Sequence, residues 1–352
     1  MPPSMPFGAA APIWMIWNGG GLFLLTLGAG GLCAASLVAS AALGPSSSPG
    51  RRALASWTPV AAMALVSLFL GRPEIAIGVV FGTSVALLAV VVGAISLVAP
   101  VGPAPVRWRR LWPFTLAAGL MAFLVGFSGF LLWEGALSLV VEGLVVLSLW
   151  REPHAEGSHH PSLGGTAGAM PRRPVAPPWV AWAIAMPLAV LAAWGATHGA
   201  VSFGQQDGHL STGTVAATVL SLSLALPMIQ DARRFSAMGQ SWLPVTSLVG
   251  VVLLNLCLLL PLLAFVPYAK AILPAIAPWN LTWPPRFDVA AAAQPLVFPY
   301  VVWRVDTMAL IVLSILLLPV SMGKWNLGRE EGMLLVAGYG FYLMVVMVTG
   351  AS

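Results

Sequence analysis

"GRPEIAIGVVFG", Gly71 to Gly82, stands between two strongly apolar stretches and gathers an arginine, a proline and a glutamate in one short space. Only 8% of the 352 residues are charged, so such a cluster marks a break between helices. Read locally, Gly71 to Glu74 is a short turn. Pro73 suits the first turn of the helix that follows, and Glu74 lies at that helix's positive end. Gly78 and Gly82 make a G-x-x-x-G pair, the spacing that lets a second helix backbone come close. Glu74 reads as a cap; an ion ligand is the competing reading.

Outward from this stretch the chain stays apolar. Apolar side chains make up 59% of it, and the mean hydropathy is +0.91. A soluble domain needs more charge over its surface, so composition alone indicates a membrane protein. A helical span takes roughly 20 apolar residues. On that rule the sequence predicts about ten segments: 13–43, 54–70, 75–100, 111–127, 131–150, 180–201, 212–228, 243–267, 305–322 and 332–349. The runs are continuous rather than alternating, which argues against a β-barrel.

The pI near 9.8 does not point to nucleic acid. Threading ten spans puts Arg51, Arg52, Arg107, Arg109, Arg110, Arg151, Arg172, Arg173, Arg233, Arg234, Lys324 and Arg329 on one side. Only Arg72, Lys270, Arg286 and Arg304 fall on the other. That asymmetry follows the positive-inside rule and predicts an inner (plasma) membrane protein with both termini extracytoplasmic. Cys33 and Cys257 both fall in apolar spans, so neither a disulfide framework nor a metal site is expected. The N-terminus has no basic region of the signal-peptide kind, so the first span is expected to be retained.

Residues 151–178, rich in Pro, Gly, His and Arg, divide the chain into a five-segment half at 1–150 and another at 179–352. Five is odd, so the second half must cross the membrane in the opposite sense, as in an inverted-repeat transporter. Setting Pro59 beside Pro227 brings Gly71 onto Gly239, Ile75 onto Leu243, Ile77 onto Val245 and Gly82 onto Gly250 without a gap. "WEGALSLV", 133–140, likewise matches "EEGMLLVA", 330–337. A duplicated scaffold is the expectation.

"GRPEIAIGVVFGTS", "LGAGGLCAASLVASAALG" at 27–44, "RVDTMALIVL" at 304–313 and "EEGMLLVAGYGFYLMVV" near the end together resemble the cation/calcium exchangers. The resemblance implies an all-α membrane fold of about ten helices in two inverted five-helix repeats, with a broken second–seventh helix region at its centre. In that family a glutamate follows the proline of each repeat, and amides and hydroxyls complete the ion shell. Here Pro59 is followed by Val60 and Pro227 by Met228, so both carboxylates are missing. Val79 stands where one amide is expected, while Thr83, Ser84 and Asn255 keep polar character. Calcium prefers six to eight oxygens with carboxylates among them. Hydrocarbon and a thioether cannot offset the cost of dehydrating a divalent ion, so standard high-affinity calcium exchange is not expected.

Other polar groups remain in the spans. Asp231 lies one helical turn beyond Met228, with Gln230 beside it. An acid within a span is a functional candidate by default; Asp231 reads either as a displaced ion or proton site or as the partner of Arg234. Glu142, two turns past Glu134, reads as a buried acid or a proton carrier. His198 reads as interfacial or packed, and Asn18 and Asn255 as interhelical hydrogen-bonding groups. "REPHAEGSHH", with His154, His159 and His160, reads as a solvated linker rather than a metal site. The insertion at 267–303, with Trp279 and Trp283, suggests an interfacial lid or a docking surface. No phosphate loop or nucleophile elbow appears, so neither enzyme activity nor a cofactor is expected.

The sequence therefore predicts a divergent secondary transporter in the lipid bilayer, moving a monovalent cation or a proton-coupled solute. Asp231, Gln230, Asn255, Thr83, Ser84 and Glu142 are its pathway candidates. The alternative is a transport-inactive scaffold that binds a membrane or extracytoplasmic protein partner.

Overall fold

A computed structural model of the chain describes residues 11–41, 43, 49–101, 106–127, 129, 131–150, 178–207, 211–237, 242–266, 298 and 302–350. Ten helical rods run through these residues: α1 (Ala11–Ala41), α2 (Pro49–Phe69), α3 (Pro73–Val98), α4 (Val106–Val125), α5 (Leu132–Trp150), α6 (Pro178–Asp207), α7 (212–237), α8 (242–266), α9 (302–321) and α10 (Arg329–Gly350). Among the described residues, eight are long and apolar enough to cross a bilayer, and α4 adds a shorter apolar run, Trp112–Val125. In hydrocarbon every backbone polar group must be satisfied internally, and helices do this within one segment. The protein is a multi-pass, all-α membrane protein.

Burial follows hydropathy. The spans of α3 and α8 share the highest mean hydropathy, 2.7, and are 94% and 83% buried. A helix apolar on every side belongs in the middle of a bundle. α1, α9 and α10 are buried over a third of their length or less and turn Phe23, Leu27, Val312, Phe341 and Val348 outward, as a lipid-facing surface requires. The centre is thus α3 and α8. The broken α2–α7 region expected from sequence is not found: both helices run through Pro59 and Pro227, and α7 continues to Ala237. Pro227 has no N–H, so the Ser223 carbonyl four residues back loses its helical donor. The Cys33 thiol on α1 donates to that carbonyl at 2.9 Å, which lets α7 stay intact there.

The turn at Gly71 closes α2 with a Schellman motif. Gly71 has φ 79°, its N–H donates to Leu68 O at 3.0 Å, and the Arg72 N–H donates to Ser67 O at 2.9 Å. Only glycine adopts that φ cheaply. Pro73 then opens α3 at a position where no amide is needed, with Glu74 in its first turn. Among the described residues the Glu74 carboxylate has no backbone amide on it; Arg72 approaches it at 3.9 Å and the Thr212 hydroxyl donates to it at 3.3 Å.

Close packing along α3 follows the glycine pair. A Cβ on Gly82 would lie 2.4 Å from Ala217 O and 2.5 Å from Ser221 Oγ; one on Gly78 would lie 2.8 Å from Gly213 O. The start of α7 therefore rests directly on the α3 backbone. α1 and α6 meet in the same way, with Gly28 against Ala196 and Gly199 against Leu25. At the opposite end of α3, Val101 and Leu327 form an isolated antiparallel bridge with reciprocal hydrogen bonds of 3.0 and 3.1 Å. It joins the segment after α3 to the segment before α10.

Among the described residues four helices widen locally into a π-helical turn: α3 at Leu87–Val91, α7 at Ala216–Leu220, α8 at Leu254–Leu259 and α9 at Val302–Asp306. The shift that aligns Pro59 with Pro227 carries the α3 turn into the α8 turn; the α7 and α9 turns have no counterpart at that register. Residues 151–177 and most of 267–301 lie outside the described residues, so the His154, His159, His160, Trp279 and Trp283 expectations fall there.

Candidate functional site

The central seam between α3 and α8 holds three of the sequence-derived candidates. Thr83, Ser84 and Asn255 are all fully buried. The Ser84 hydroxyl donates to Val80 O at 2.8 Å, which leaves its oxygen to accept from the Asn255 amide at 3.1 Å. The helices at the core are thereby joined by one side-chain bond. Thr83 Oγ1 and Asn255 Oδ1 have no hydrogen-bond partner among the described residues. Buried oxygens left unpaired cost about 1–3 kcal/mol each, and such groups call for an explanation. Replacing Asn255 with leucine is expected to remove one interhelical bond and one orphan oxygen together. The net change in stability should stay under about 2 kcal/mol, readable as a small shift in the thermal midpoint in detergent.

Asp231 belongs to a second place. A small cleft of about 20 Å³, room for about one water molecule, is lined by Arg52 and Ser56 of α2, by Met228, Asp231 and Phe235 of α7, and by Pro244, Ser247 and Val251 of α8, among others. Arg52 attracts Asp231 electrostatically across the α2–α7 interface, and its guanidinium carbon lies 4.2 Å from the centre of the Phe235 ring. Asp231 and Phe235 are one turn apart on α7, so one arginine stacks on the ring within the field of the carboxylate. The α2 guanidinium, 179 positions away in sequence, is a charge that the fold brings within electrostatic reach of Asp231. The side chain of Arg234, the partner expected from sequence, lies outside the described residues.

The remaining candidates disperse. Gln230 is exposed on another face of α7 and does not line the cleft. Glu142 is on α5, with its side chain outside the described residues, as is that of Asn18. His198 is exposed and packs on Trp194 with ring centres 4.6 Å apart. Val60 is fully buried in α2, and Met228 lines the cleft, so the two positions after the repeat prolines carry hydrocarbon and sulfur. Among the described residues no three His, Cys, Asp or Glu groups gather as a metal would need.

Sequence reading passed over Asp306. It lies at the end of a π-helical turn, Val302–Asp306, fully buried, with Tyr342 donating to its Oδ1 at 2.8 Å. The rule that an intramembrane acid is a candidate would have found it. Its place beside the first residue of an apolar run made it look like an edge residue.

No protein-family model matches the chain. A curated relative, "Putative antiporter CaxA" from Alkalimonas amylolytica, is 25% identical over 295 residues, which cover 82% of this chain and 83% of that one. Among solved structures, native YfkE superposes with a TM-score of 0.66 at 15% identity, covering 97% of both chains. The H+/Ca2+ exchanger CAX gives 0.65 at 12% identity, covering 98% of this chain and 93% of that one. The sodium–calcium exchanger NCX_Mj, soaked with 10 mM Na+ and 10 mM Sr2+, gives 0.53 at 14% identity, covering 95% and 98%.

Proposed function

We propose that this chain, whose fold is that of the sodium/calcium and proton/calcium exchangers, is a secondary transporter that exchanges a monovalent cation or a proton across the membrane. Standard high-affinity calcium exchange is not its task. The observation that carries the reading is the cleft at Asp231. An intramembrane acid is retained beside Met228, one turn from a position that is carboxylate in the exchangers the sequence resembles, and it lines a small cleft between α2, α7 and α8. An acid there favours a cation, while the neutral oxygens of Thr83, Ser84 and Asn255 are too few and too weak to strip a divalent ion of its water.

The architecture proposed is two five-helix halves of opposite orientation, joined by the 151–178 linker, with both termini extracytoplasmic. Two matches at one register support it: the prolines inside α2 and α7, and, of the four π-helical turns, those of α3 and α8. A duplicated scaffold produces such matches, and a transporter built this way alternates access around its midplane. On this topology the Asp231 cleft opens to the cytoplasm and the Glu74–Thr212 contact lies outside.

The test is transport by the purified protein in phosphatidylethanolamine–phosphatidylglycerol vesicles holding a pH-sensitive dye and an imposed pH gradient. Sodium or potassium added outside is expected to dissipate the gradient, and micromolar calcium is not. No dissipation with any cation, or dissipation by micromolar calcium, would overturn the proposal.

A further inference from the structure

We infer that Asp306 is the proton-exchanging group of this protein, with Tyr342 as its positioning residue. The carboxyl is fully buried. Tyr342 donates to Oδ1, while Oδ2 has no hydrogen-bond partner among the described residues. The Tyr339 hydroxyl, also buried and without a hydrogen-bond partner among the described residues, lies within electrostatic reach of Asp306, and the two tyrosine rings are 5.4 Å apart. One acid and two phenols thus form a polar island on α9 and α10, separate from the Asp231 cleft.

The charges around this island decide its state. The turn at Val302–Asp306 packs chiefly against α3, α4, α10 and the rest of α9. Glu74 is the only titratable group on α3, held at its start by Arg72 and Thr212. The described side chains of α4 include none. On α10, Arg329, Glu330 and Glu331 occupy the first turn, far from Tyr342. Arg304 is exposed, its guanidinium 5.3 Å from the Trp303 ring centre. No cation among the described residues pairs with Asp306. An ionised carboxylate in hydrocarbon with one neutral donor is far costlier than a neutral acid. The closed arrangement therefore holds the acid form. When the island opens to water, the carboxyl O–H bond breaks, the proton passes to water, and the carboxylate left behind draws in a cation. Tyr342 fixes the carboxyl in both forms, because a phenol donates equally to an acid carbonyl or a carboxylate.

The role in coupling rests on the antiport reading; the protonation itself does not. Two measurements keep them apart. Infrared difference spectra of the purified protein between acid and alkaline pH report protonated carboxyl groups directly. A carboxylic-acid carbonyl band lost at alkaline pH is expected in the unaltered chain, absent in Asp306→Asn, and moved to higher frequency in Tyr342→Phe, which removes the bond to the carbonyl oxygen. In the vesicle assay, with sodium and potassium as probes, Asp306→Asn is expected to cut proton-coupled flux at least tenfold. If that variant does not fold, Asp306→Glu and Tyr342→Phe carry the test, since each must shift the band without abolishing it. A spectrum with no such band, or one that Asp306→Asn retains, overturns the inference. So does a wild-type rate of proton-coupled flux in Asp306→Asn. A band that behaves as expected in a protein that moves no cation upholds the proton site and removes the antiport reading.

Discussion

Replacing Gly82 with leucine is expected to prevent assembly of the helix bundle, giving no monodisperse peak in detergent. A Cβ at Gly82 already falls 2.4 Å from a backbone oxygen and 2.7 Å from the Ala217 Cα. Neither atom belongs to a flexible side-chain end, so α7 would have to move as a body. Overpacking in a dense interior costs about 1–3 kcal/mol, and more when backbone must shift. Here the loss also breaks the contact on which α7, and with it the Asp231 cleft, is positioned. Gly30 is the internal control. A Cβ there would meet nothing within 4 Å, so Gly30→Leu should purify like the unaltered protein. Equal behaviour of the two variants would show that the α3–α7 approach is not what holds the bundle.

Asp231→Asn is expected to lower cation-driven flux at least tenfold, about 1.4 kcal/mol in the barrier, without loss of folded protein. The sign follows from the charges at the cleft. Asp231 is an acid lining the cleft within the field of Arg52; without it, the cation loses its negative partner there. Arg52→Gln makes the opposite change, so it should strengthen apparent cation affinity, seen as a lower KM. Both effects should shrink as salt rises, because partly exposed charges are screened. Unchanged flux in Asp231→Asn would remove this cleft from the pathway.

Sequence carried much of the fold because membrane insertion constrains it so strongly. Apolar runs of sufficient length become helices, and the Gly71–Gly82 stretch contains both the turn and the glycine face that α7 meets. The site was harder to read. Asp231 was visible as an acid in an apolar context, but Arg52 lies five helices earlier in chain order, and nothing local announces which arginine crosses to it. Gln230 sits beside Asp231 in sequence yet points elsewhere, because neighbouring residues on a helix face about 100° apart. The π-helical turns were invisible, since an unbroken apolar run has no polar stripe whose phase could slip. Asp306 was legible as an acid next to an apolar run, but its place at the edge of that run made it read as an end residue, and only the fold shows it fully buried.

The bridge between Val101 and Leu327 has a mechanical consequence. Two reciprocal hydrogen bonds clasp a segment from one half of the chain to a segment from the other, so those neighbouring ends of α3 and α10 travel together. On the antiport reading proposed above, opening at the Asp231 cleft would fall to the α2–α7–α8 flank, while the clasped ends of α3 and α10 stay paired.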